Sequence, residues 1–331
     1  MTSTMEPPTV RDIIAARKRI QPHLLRTPLY TYPLLNDLLN AEVFVKHENY
    51  NPTGAFKIRG GINLVAQLTP DERRRGVITA STGNHGQSIA LAAKIYGVKA
   101  TVCVPKNPNP IKVASILRYG ASIIEQGADY DEARLNAETL AKEHEYRYIH
   151  SANESHLIAG VGTLALEMIE DQPDLDVVIA PVGAGSCACG TAIAYEALSP
   201  STRIIAVQTE ALPAVHQSWL SGNLESTPPA NTIADGLATR QAFQLPVQIL
   251  RSLIGEFILV NETEIRTAIK HYIEKAHTIA EGAGAASLAA AIKLRQQLRG
   301  KKVGLILTGA NITGDILRDI LNESDSTSVV R

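Results

Sequence analysis

Short, mostly apolar runs alternate along this chain with longer segments whose apolar residues recur every three or four positions. The short runs are rich in β-branched side chains and predict buried strands at 76–80, 100–104, 121–125, 177–180, 203–207 and 303–307. Most of them lead through a Gly- or Pro-containing turn into a segment with helical periodicity, such as 87–96 or 131–144. This alternation predicts an α/β protein with mostly parallel, doubly wound sheets.

Capping patterns mark the starts of two further helices. Thr9 is followed three positions later by Asp12, and Asn261 is followed at the same spacing by Glu264. Such a pair lets each side chain accept a bond from the other residue's backbone N–H group. We therefore predict that helices begin after Thr9 and Asn261, and that Ile14 lies on the apolar side of the first.

The stretch 177–195 carries no charged residue and is long enough to raise the question of a membrane span. It also contains Pro181, Ser186, Thr191 and three glycines, which divide it into a short strand, a turn and a helix. We interpret it as buried structure in a soluble protein, and therefore predict no membrane partner and a cytoplasmic location.

Composition and charge narrow the classes of function. The chain has 331 residues, of which 45% are hydrophobic, which is ample for a large core and suggests roughly two domains. A net charge of -1 gives no reason to expect a nucleic acid partner. Cys103, Cys187 and Cys189 are too few for a disulfide framework, and they lack the second ligand pair of a zinc site. We therefore predict no resident metal.

Four turns carry the residues that suggest chemistry. They are 52–60 (Pro-Thr-Gly-Ala-Phe-Lys-Ile-Arg-Gly), 81–86 (Ser-Thr-Gly-Asn-His-Gly), 183–186 (Gly-Ala-Gly-Ser) and 308–311 (Thr-Gly-Ala-Asn). Ligands of doubly wound sheets bind at the carboxyl ends of strands, where such turns meet. A lysine set beside phosphate-cradling turns is the arrangement that holds pyridoxal phosphate.

In this order, the four motifs resemble those of fold-type II pyridoxal-phosphate enzymes of the threonine/serine dehydratase and serine racemase family. The resemblance extends over roughly residues 10–320. It implies a two-domain α/β fold similar to the tryptophan synthase β subunit, with pyridoxal 5'-phosphate as cofactor and a homodimer as assembly. Residues 1–74 and 149–331 would form the large cofactor-binding domain, and 75–148 the small domain that binds the substrate carboxylate. The Ser/Asp/Thr-rich tail after 322 is predicted to be disordered.

The resemblance assigns Lys57 as the Schiff-base lysine, which also takes the Cα proton of the substrate. Phe56 resembles the residue that stacks on the pyridine ring. Without the other motifs, Lys57 would be interpreted as a solvated surface lysine and Phe56 as ordinary core packing.

The turn Gly183, Ala184, Gly185 and Ser186 follows a strand and opens a helix, so its backbone N–H groups can cradle a phosphate. The family's turn usually has four glycines, and Ala184 and Ser186 depart from that pattern. By resemblance, the Thr308 hydroxyl pairs with the pyridine nitrogen. A hydroxyl favours a protonated ring less than a carboxylate does, which suits elimination better than transamination.

By resemblance, the turn Ser81, Thr82, Gly83, Asn84 and His85 binds the substrate carboxylate, and Asn84 also binds the phenolic oxygen of the cofactor. Racemases of the family carry a serine in place of Thr82, where it acts as acid and base on the face opposite the lysine. Threonine keeps that hydroxyl but stiffens the side chain, so elimination is better supported than racemisation.

Two further differences from the family pattern bear on a divalent cation site and on the substrate pocket. Family members that bind a divalent cation have carboxylates at the positions of Gln208 and Ala214, so we predict that this site is absent or altered. Ala152 stands where an asparagine or aspartate often approaches the substrate, which would admit a bulkier substrate side chain.

The sequence thus predicts an ammonia-lyase that acts on β-hydroxy-L-amino acids and releases a 2-oxo acid and ammonia. L-Threonine and L-serine are the default substrates, and 3-phenylserine and 3-hydroxyaspartate stay open. One alternative is a serine racemase or a bifunctional racemase and dehydratase. A nicotinamide dehydrogenase is disfavoured, because the third glycine of its motif is misplaced at Gly190 and Gln208 replaces the ribose-binding acid. A cofactor-binding protein without turnover has no support in the sequence.

Overall fold

The computed structural model of the protein describes residues 6–323 apart from 82, 107, 109 and 129, and of residues 110, 111 and 131 the backbone alone. Within that part, the strands form two separate sheets. In chain order the strands are β1 Leu29–Thr31, β2 Glu42–His47, β3 Val77–Ala80, β4 Ala100–Val104, β5 Ser122–Glu125, β6 Arg147–Tyr148, β7 Val177–Pro181, β8 Arg203–Thr209, β9 Glu256–Val260 and β10 Lys302–Leu307.

The larger sheet has six strands in the order β1-β2-β10-β7-β8-β9, and the smaller has four in the order β5-β4-β3-β6. All pairs are parallel except β1 and β2. In the larger sheet Val303 pairs with both Val43 and Val177, which sets the register of its central strands. The predicted α/β class with mostly parallel sheets is therefore confirmed.

Helices connect the strands and cover the sheets. They are α1 Val10–Ile20, α2 Pro33–Leu39, α3 Lys57–Val65, α4 Pro70–Arg75, α5 Asn84–Tyr96, α6 Pro110–Arg118, α7 Tyr130–Glu143, α8 Ser155–Asp171, α9 Ser186–Leu198, α10 Ala214–Ser221, α11 Gln244–Leu253, α12 Glu262–Ala276, α13 Gly282–Lys293, α14 Arg295–Leu298 and α15 Gly314–Asn322. Short 3-10 helices lie at Glu48–Tyr50 and Asp235–Leu237. The tail prediction falls mostly on 324–331, outside the described residues.

Both capping predictions are confirmed. The Thr9 and Asn261 side chains accept bonds from the backbone N–H groups of Asp12 and Glu264, and both capping boxes are complete. The prediction for Ile14 is wrong, since this side chain is 37% exposed. The buried side of α1 is formed by Ile13, Ala16 and Ile20, because the helical repeat places position 14 one step past that face.

All six predicted strands are present, whereas β1, β2, β6 and β9 were not predicted. Helix α8 was missed as well, although it is one of the longest, because apolar and small residues cover all its sides and leave no polar stripe. The uncharged stretch 177–195 forms β7, a turn and most of α9, as interpreted. Among the described residues, no helix is both long and apolar enough to cross a membrane.

The four-stranded sheet takes its strands from residues 77–148, and every strand of the six-stranded sheet lies outside that range. The predicted boundaries of a small domain at 75–148 and a large domain at 1–74 and 149–331 stay a prediction. We refer below to the small-sheet half and the large-sheet half.

Glycines bring α8 and α9 into backbone contact beneath the large sheet. A Cβ placed on Gly190 would lie 2.7 Å from the Gly162 nitrogen and 2.8 Å from the Ile158 oxygen. Real Cβ atoms do not approach backbone this closely, so the two helices would have to separate. This contact holds the helix that begins at the 183–186 turn.

We predict that Gly190→Ala costs about 1–3 kcal/mol and lowers the melting temperature by about 2–10 °C, because it overpacks this crossing. Gly314→Ala is the matched control, since nothing lies within 4 Å of a Cβ at that helical position. Calorimetry of both variants checks the account, and equal melting temperatures for the two would contradict it.

Candidate active site

The predicted turns converge on one cleft between the two halves, with a cavity volume of about 570 Å³. Eleven of the predicted site residues lie on its wall: Phe56, Lys57, Ser81, Gly83, Asn84, His85, Gly183, Ala184, Gly185, Ser186 and Thr308. The remaining one, Thr82, lies outside the described residues. The sequence therefore predicted correctly which turns meet, whereas the roles assigned to single residues stay predictions.

The turn before Lys57 is fastened to the end of β10. Phe56 N donates to Thr308 O at 3.0 Å, and Ala310 N donates to Gly54 O at 2.9 Å. Gly54 has a φ of +67°, a conformation that favours glycine. These bonds place Lys57, the first residue of α3, directly beside Thr308.

The Lys57 amine points into the cleft. Its Nζ donates to Ser186 Oγ at 2.9 Å and to Ser151 O at 3.3 Å, and lies 4.9 Å from the centroid of the Phe56 ring. Burial disfavours the charged ammonium and lowers the pKa of Lys57 to about 8. A substantial fraction of this amine is therefore neutral near physiological pH, as a nucleophile or general base requires.

A buried ionic cluster holds the helix that starts at Lys57. Arg59 donates to Glu48 Oε2 at 2.7 Å and to Glu167 Oε1 at 2.7 Å, and Lys46 donates to Glu167 Oε2 at 2.6 Å. Burial alone would raise the pKa of Glu48, but Arg59 and Lys46 outweigh it and hold that pKa below its ordinary value. The two cations and two carboxylates balance, so each charge is compensated without water.

The 183–186 turn has the form of an anion cradle. Gly185 has a φ of +108°, and a Cβ on Gly183 would lie 2.1 Å from Gly236 O, so both positions require glycine. Ala184 and Ser186 replace the family's glycines only where φ is negative. The first intrahelical bond of α9 runs from Cys189 N to Gly185 O, which leaves the preceding N–H groups for an anion.

The 81–85 turn ends where α5 begins. Ser81 Oγ accepts a bond from Gly83 N at 3.1 Å, and Asn84 is the first residue of α5. His85 is buried with its Nε2 3.5 Å from Ile149 O, and burial together with the Lys57 charge lowers its pKa to about 3. That imidazole therefore stays neutral, and the described residues of this turn offer a carboxylate the backbone N–H groups at the N-terminus of α5.

Sequence reasoning missed Glu281, which fixes the orientation of Asn84. Asn84 Nδ2 donates to Glu281 Oε1 at 2.7 Å, Asn84 Oδ1 accepts from Asn311 Nδ2 at 2.7 Å, and Asn311 N donates to Glu281 Oε2 at 3.0 Å. Burial raises the pKa of Glu281 to about 7, against the opposing effects of the Asn84 bond and Lys112. An amide nitrogen has two N–H donors, so Asn84 keeps one for a ligand. The one sign in the sequence that could have pointed to Glu281 is the Gly-Ala-Gly run that follows it and begins α13.

The interpretation of Ala152 as a residue that opens the pocket is wrong. Ala152 is fully buried, and Ser151 forms the cleft wall instead. His150 Nδ1 accepts bonds from Ala152 N and Asn153 N, which folds these two residues back over His150. The neighbouring Asn153 is engaged elsewhere, because its Oδ1 accepts a bond from Leu245 N at 3.1 Å.

The residues at the family's cation site have other contacts. Gln208 is buried, and its Oε1 accepts from His216 N at 3.0 Å. In the described part of the chain, no group of three His, Cys, Asp or Glu residues is placed to hold a metal ion. That the cation site is absent or altered stays a prediction.

Comparison with known proteins defines the class. Residues 20–309 match the family model described as pyridoxal-phosphate dependent enzyme. The chain therefore belongs to this family, its cofactor is pyridoxal 5'-phosphate, and its fold is that of the fold-type II enzymes. The site fits the cofactor, since it joins a partly neutral lysine, an aromatic ring, an anion cradle and the Thr308 hydroxyl.

Relatives extend over nearly the whole chain. The L-threonine ammonia-lyase of Thermotoga maritima is 37% identical over 315 residues, which cover 95% of this chain and 78% of that protein. The L-threo-3-hydroxyaspartate ammonia-lyase of Saccharomyces cerevisiae is 35% identical and covers 92% of this chain and 94% of its own. The structure of maize serine racemase superposes with a TM-score of 0.90 at 32% identity, covering 96% of this chain and 97% of that one.

We predict that cofactor-free protein captures pyridoxal phosphate at a rate that rises with pH and levels off with a midpoint of about 8. The neutral amine is the reactive form, and burial moves its appearance down from the ordinary lysine pKa of about 10.4. Stopped-flow absorbance over pH 6–11 measures this rate, with N-acetyl-lysine methylamide as reference for the titration of the cofactor itself. A midpoint above pH 10 would show that Lys57 is not desolvated.

Proposed function

We propose that the protein is a pyridoxal-phosphate-dependent ammonia-lyase that eliminates water from β-hydroxy-L-amino acids and releases a 2-oxo acid and ammonia. The observation that carries this proposal is the position of Lys57 Nζ, 2.9 Å from the phosphate-turn residue Ser186 and facing the cleft that the 81–85 turn closes. One amine thus lies between the two turns to which we assign the cofactor phosphate and the substrate carboxylate. The named activities of the Thermotoga and Saccharomyces relatives support the same chemistry.

When bound, the cofactor supplies an aldehyde that an amine can attack and an electron-withdrawing ring that stabilises negative charge at the substrate Cα. Lys57 provides the amine that holds it at rest, and becomes a free base once the substrate amine has replaced it. With a pKa near 8, Lys57 Nζ can accept the Cα proton. Ser186 Oγ and Ser151 O keep the amine directed into the cleft between these steps.

The remaining residues orient the reactants. Backbone N–H groups at the start of α5 bind the substrate carboxylate, and the free N–H of Asn84 binds the phenolic oxygen of the cofactor. Phe56 would pack on the ring, and the Thr308 hydroxyl would pair with the ring nitrogen, which favours protonation of that nitrogen less than a carboxylate would. Such a ring would withdraw electrons less strongly, which favours loss of the β-hydroxyl as water over transamination.

The substrate class follows from this arrangement and from the relatives. L-Threonine and L-serine are the default substrates, in line with the name of the Thermotoga protein. The name of the yeast relative keeps 3-hydroxyaspartate open, and the cavity volume keeps 3-phenylserine open.

Racemisation is the second candidate, because the maize structure with a TM-score of 0.90 is a serine racemase. It would require an acid on the face of the substrate opposite Lys57. We propose Thr82 for that position, on the basis of the sequence motif alone.

We also propose that the enzyme is a homodimer in the cytoplasm, as the resemblance to the family implies. Exposed aromatic side chains around His47 would favour such an interface: Tyr30 is 51% exposed and Tyr50 is 54% exposed. Sedimentation of the purified protein would decide the oligomeric state.

Replacing Lys57 by alanine should lower 2-oxo acid release by at least about 10³-fold, since both the cofactor-holding amine and the base are lost. The matched control is Lys94→Ala on the exposed side of α5, which should keep wild-type turnover. Formation of the 2,4-dinitrophenylhydrazone of the released 2-oxo acid, with L-threonine, L-serine, L-threo-3-phenylserine and L-threo-3-hydroxyaspartate as substrates and chelator present, measures the rates. Wild-type activity in Lys57→Ala would contradict the mechanism, and D-amino acid in the same mixtures would establish racemisation.

A further inference from the structure

An ion pair joins the two halves of the enzyme across the cleft. Lys112, in the first turn of α6, belongs to the small-sheet half, and Asp235, in the 3-10 helix Asp235–Leu237, belongs to the large-sheet half. Lys112 Nζ lies 2.5 Å from Asp235 Oδ2, and both residues line the cleft. The Lys112 side chain is 15% exposed and the Asp235 side chain is 63% exposed, so the pair lies at the mouth.

On one side the pair is attached to the carboxylate-binding turn. A Cβ placed on Gly83 would lie 3.7 Å from Lys112 Nζ, so the ammonium rests against this turn. The helix itself does not explain a cation here, because the positive end of the helix dipole disfavours lysine in a first turn. Movement of Lys112 would therefore accompany movement of the turn.

On the large-sheet side, the segment that carries Asp235 packs against the 183–186 turn, which we call the phosphate turn. A Cβ on Gly183 would lie 2.1 Å from Gly236 O, and one on Gly282 would lie 2.6 Å from Ile233 O. The segment around Asp235 is thus packed between the phosphate turn and the start of α13. It cannot shift without disturbing both, so Asp235 is fixed relative to the cofactor.

We propose that the Lys112–Asp235 pair is a latch that holds the 81–85 turn against the cofactor half, and that Lys112 is a positioning residue for substrate binding. The inference rests on the proposed function in taking the substrate carboxylate as the group that this turn receives. The latch must open for substrate to enter and close for the carboxylate to be held. Because the Asp235 side chain is 63% exposed, water screens the pair and it contributes little to folding, which suits a contact that forms and breaks in each turnover.

A latch makes the closed state more populated before the substrate arrives. If its loss lowers the closed fraction, the apparent affinity for substrate falls by the same factor. Saturating substrate still closes the cleft, so the maximal rate changes little. The expected signature is a higher KM with a nearly constant kcat.

We predict that Asp235→Asn and Lys112→Met each raise KM for the preferred amino acid about five-fold while kcat stays within about two-fold. The double variant should show the same KM as either single variant, because both remove one interaction. Asp235→Glu should restore much of the affinity. Asp315→Asn, which removes an exposed pair with Arg318 outside the cleft, is the matched control and should leave KM unchanged.

A lower KM in Asp235→Asn would overturn the proposal, since it would mean that Asp235 merely competes with substrate for Lys112. Multiplying effects in the double variant would overturn it as well, because the two residues would then act independently.

A distance measurement tests the latch without turnover. The three native cysteines are buried, so Leu117→Cys in α6 and Gln217→Cys in α10 introduce exposed labelling sites, one in each half. In cofactor-loaded protein without substrate, spin-label distances should broaden toward longer values with Asp235→Asn and not with Asp315→Asn. An unchanged distance distribution in Asp235→Asn would contradict the proposed latch. Failure of all substrates in the wild type, with the distance shift intact, would instead refute the proposed function.

Discussion

The buried cluster of Arg59, Glu48, Glu167 and Lys46 is the constraint on which the site depends. It ties α3 to β2 and α8, and α3 is the helix that begins at Lys57. Removing one partner would leave an uncompensated buried charge, which typically costs about 3–5 kcal/mol. Such a cluster therefore tolerates one arrangement, and that arrangement aims Lys57 at the cleft.

Short contacts with α3 then position the rest of the site. The turn before Lys57 pairs with the end of β10, so Thr308 is beside the amine. The backbone approach of α8 and α9 brings the 183–186 turn to Lys57, whose Nζ donates to the hydroxyl of Ser186. The same packing that places the amine also desolvates it, and so lowers its pKa to about 8. The small-sheet half meets this frame through Asn84 and Lys112 in the cleft, and through Ser88, whose Oγ donates to Lys57 O at 2.7 Å.

Much of the fold and of the site could be predicted from the sequence, because strand and helix periods and four Gly-containing turns are local signals. Contacts between distant residues could not. Glu281 reaches Asn84 across 197 positions, and Arg59 reaches Glu167 across 108. Ala152 was misjudged for a local reason, since the bonds from Ala152 N and Asn153 N to His150 Nδ1 are not signalled by any strand or helix period. The prediction for Ile14 was wrong because an apolar residue next to the buried face of a helix need not be part of that face.

The central claim is that Lys57 is the amine that holds the cofactor. Borohydride reduction of the loaded enzyme makes that attachment permanent, and mass spectrometry of a proteolytic digest then identifies the lysine. The account predicts one pyridoxyl group per chain, on the peptide that contains Lys57, and less of it when saturating substrate is present during reduction. Modification of Lys112 or Lys46 in its place would contradict the account.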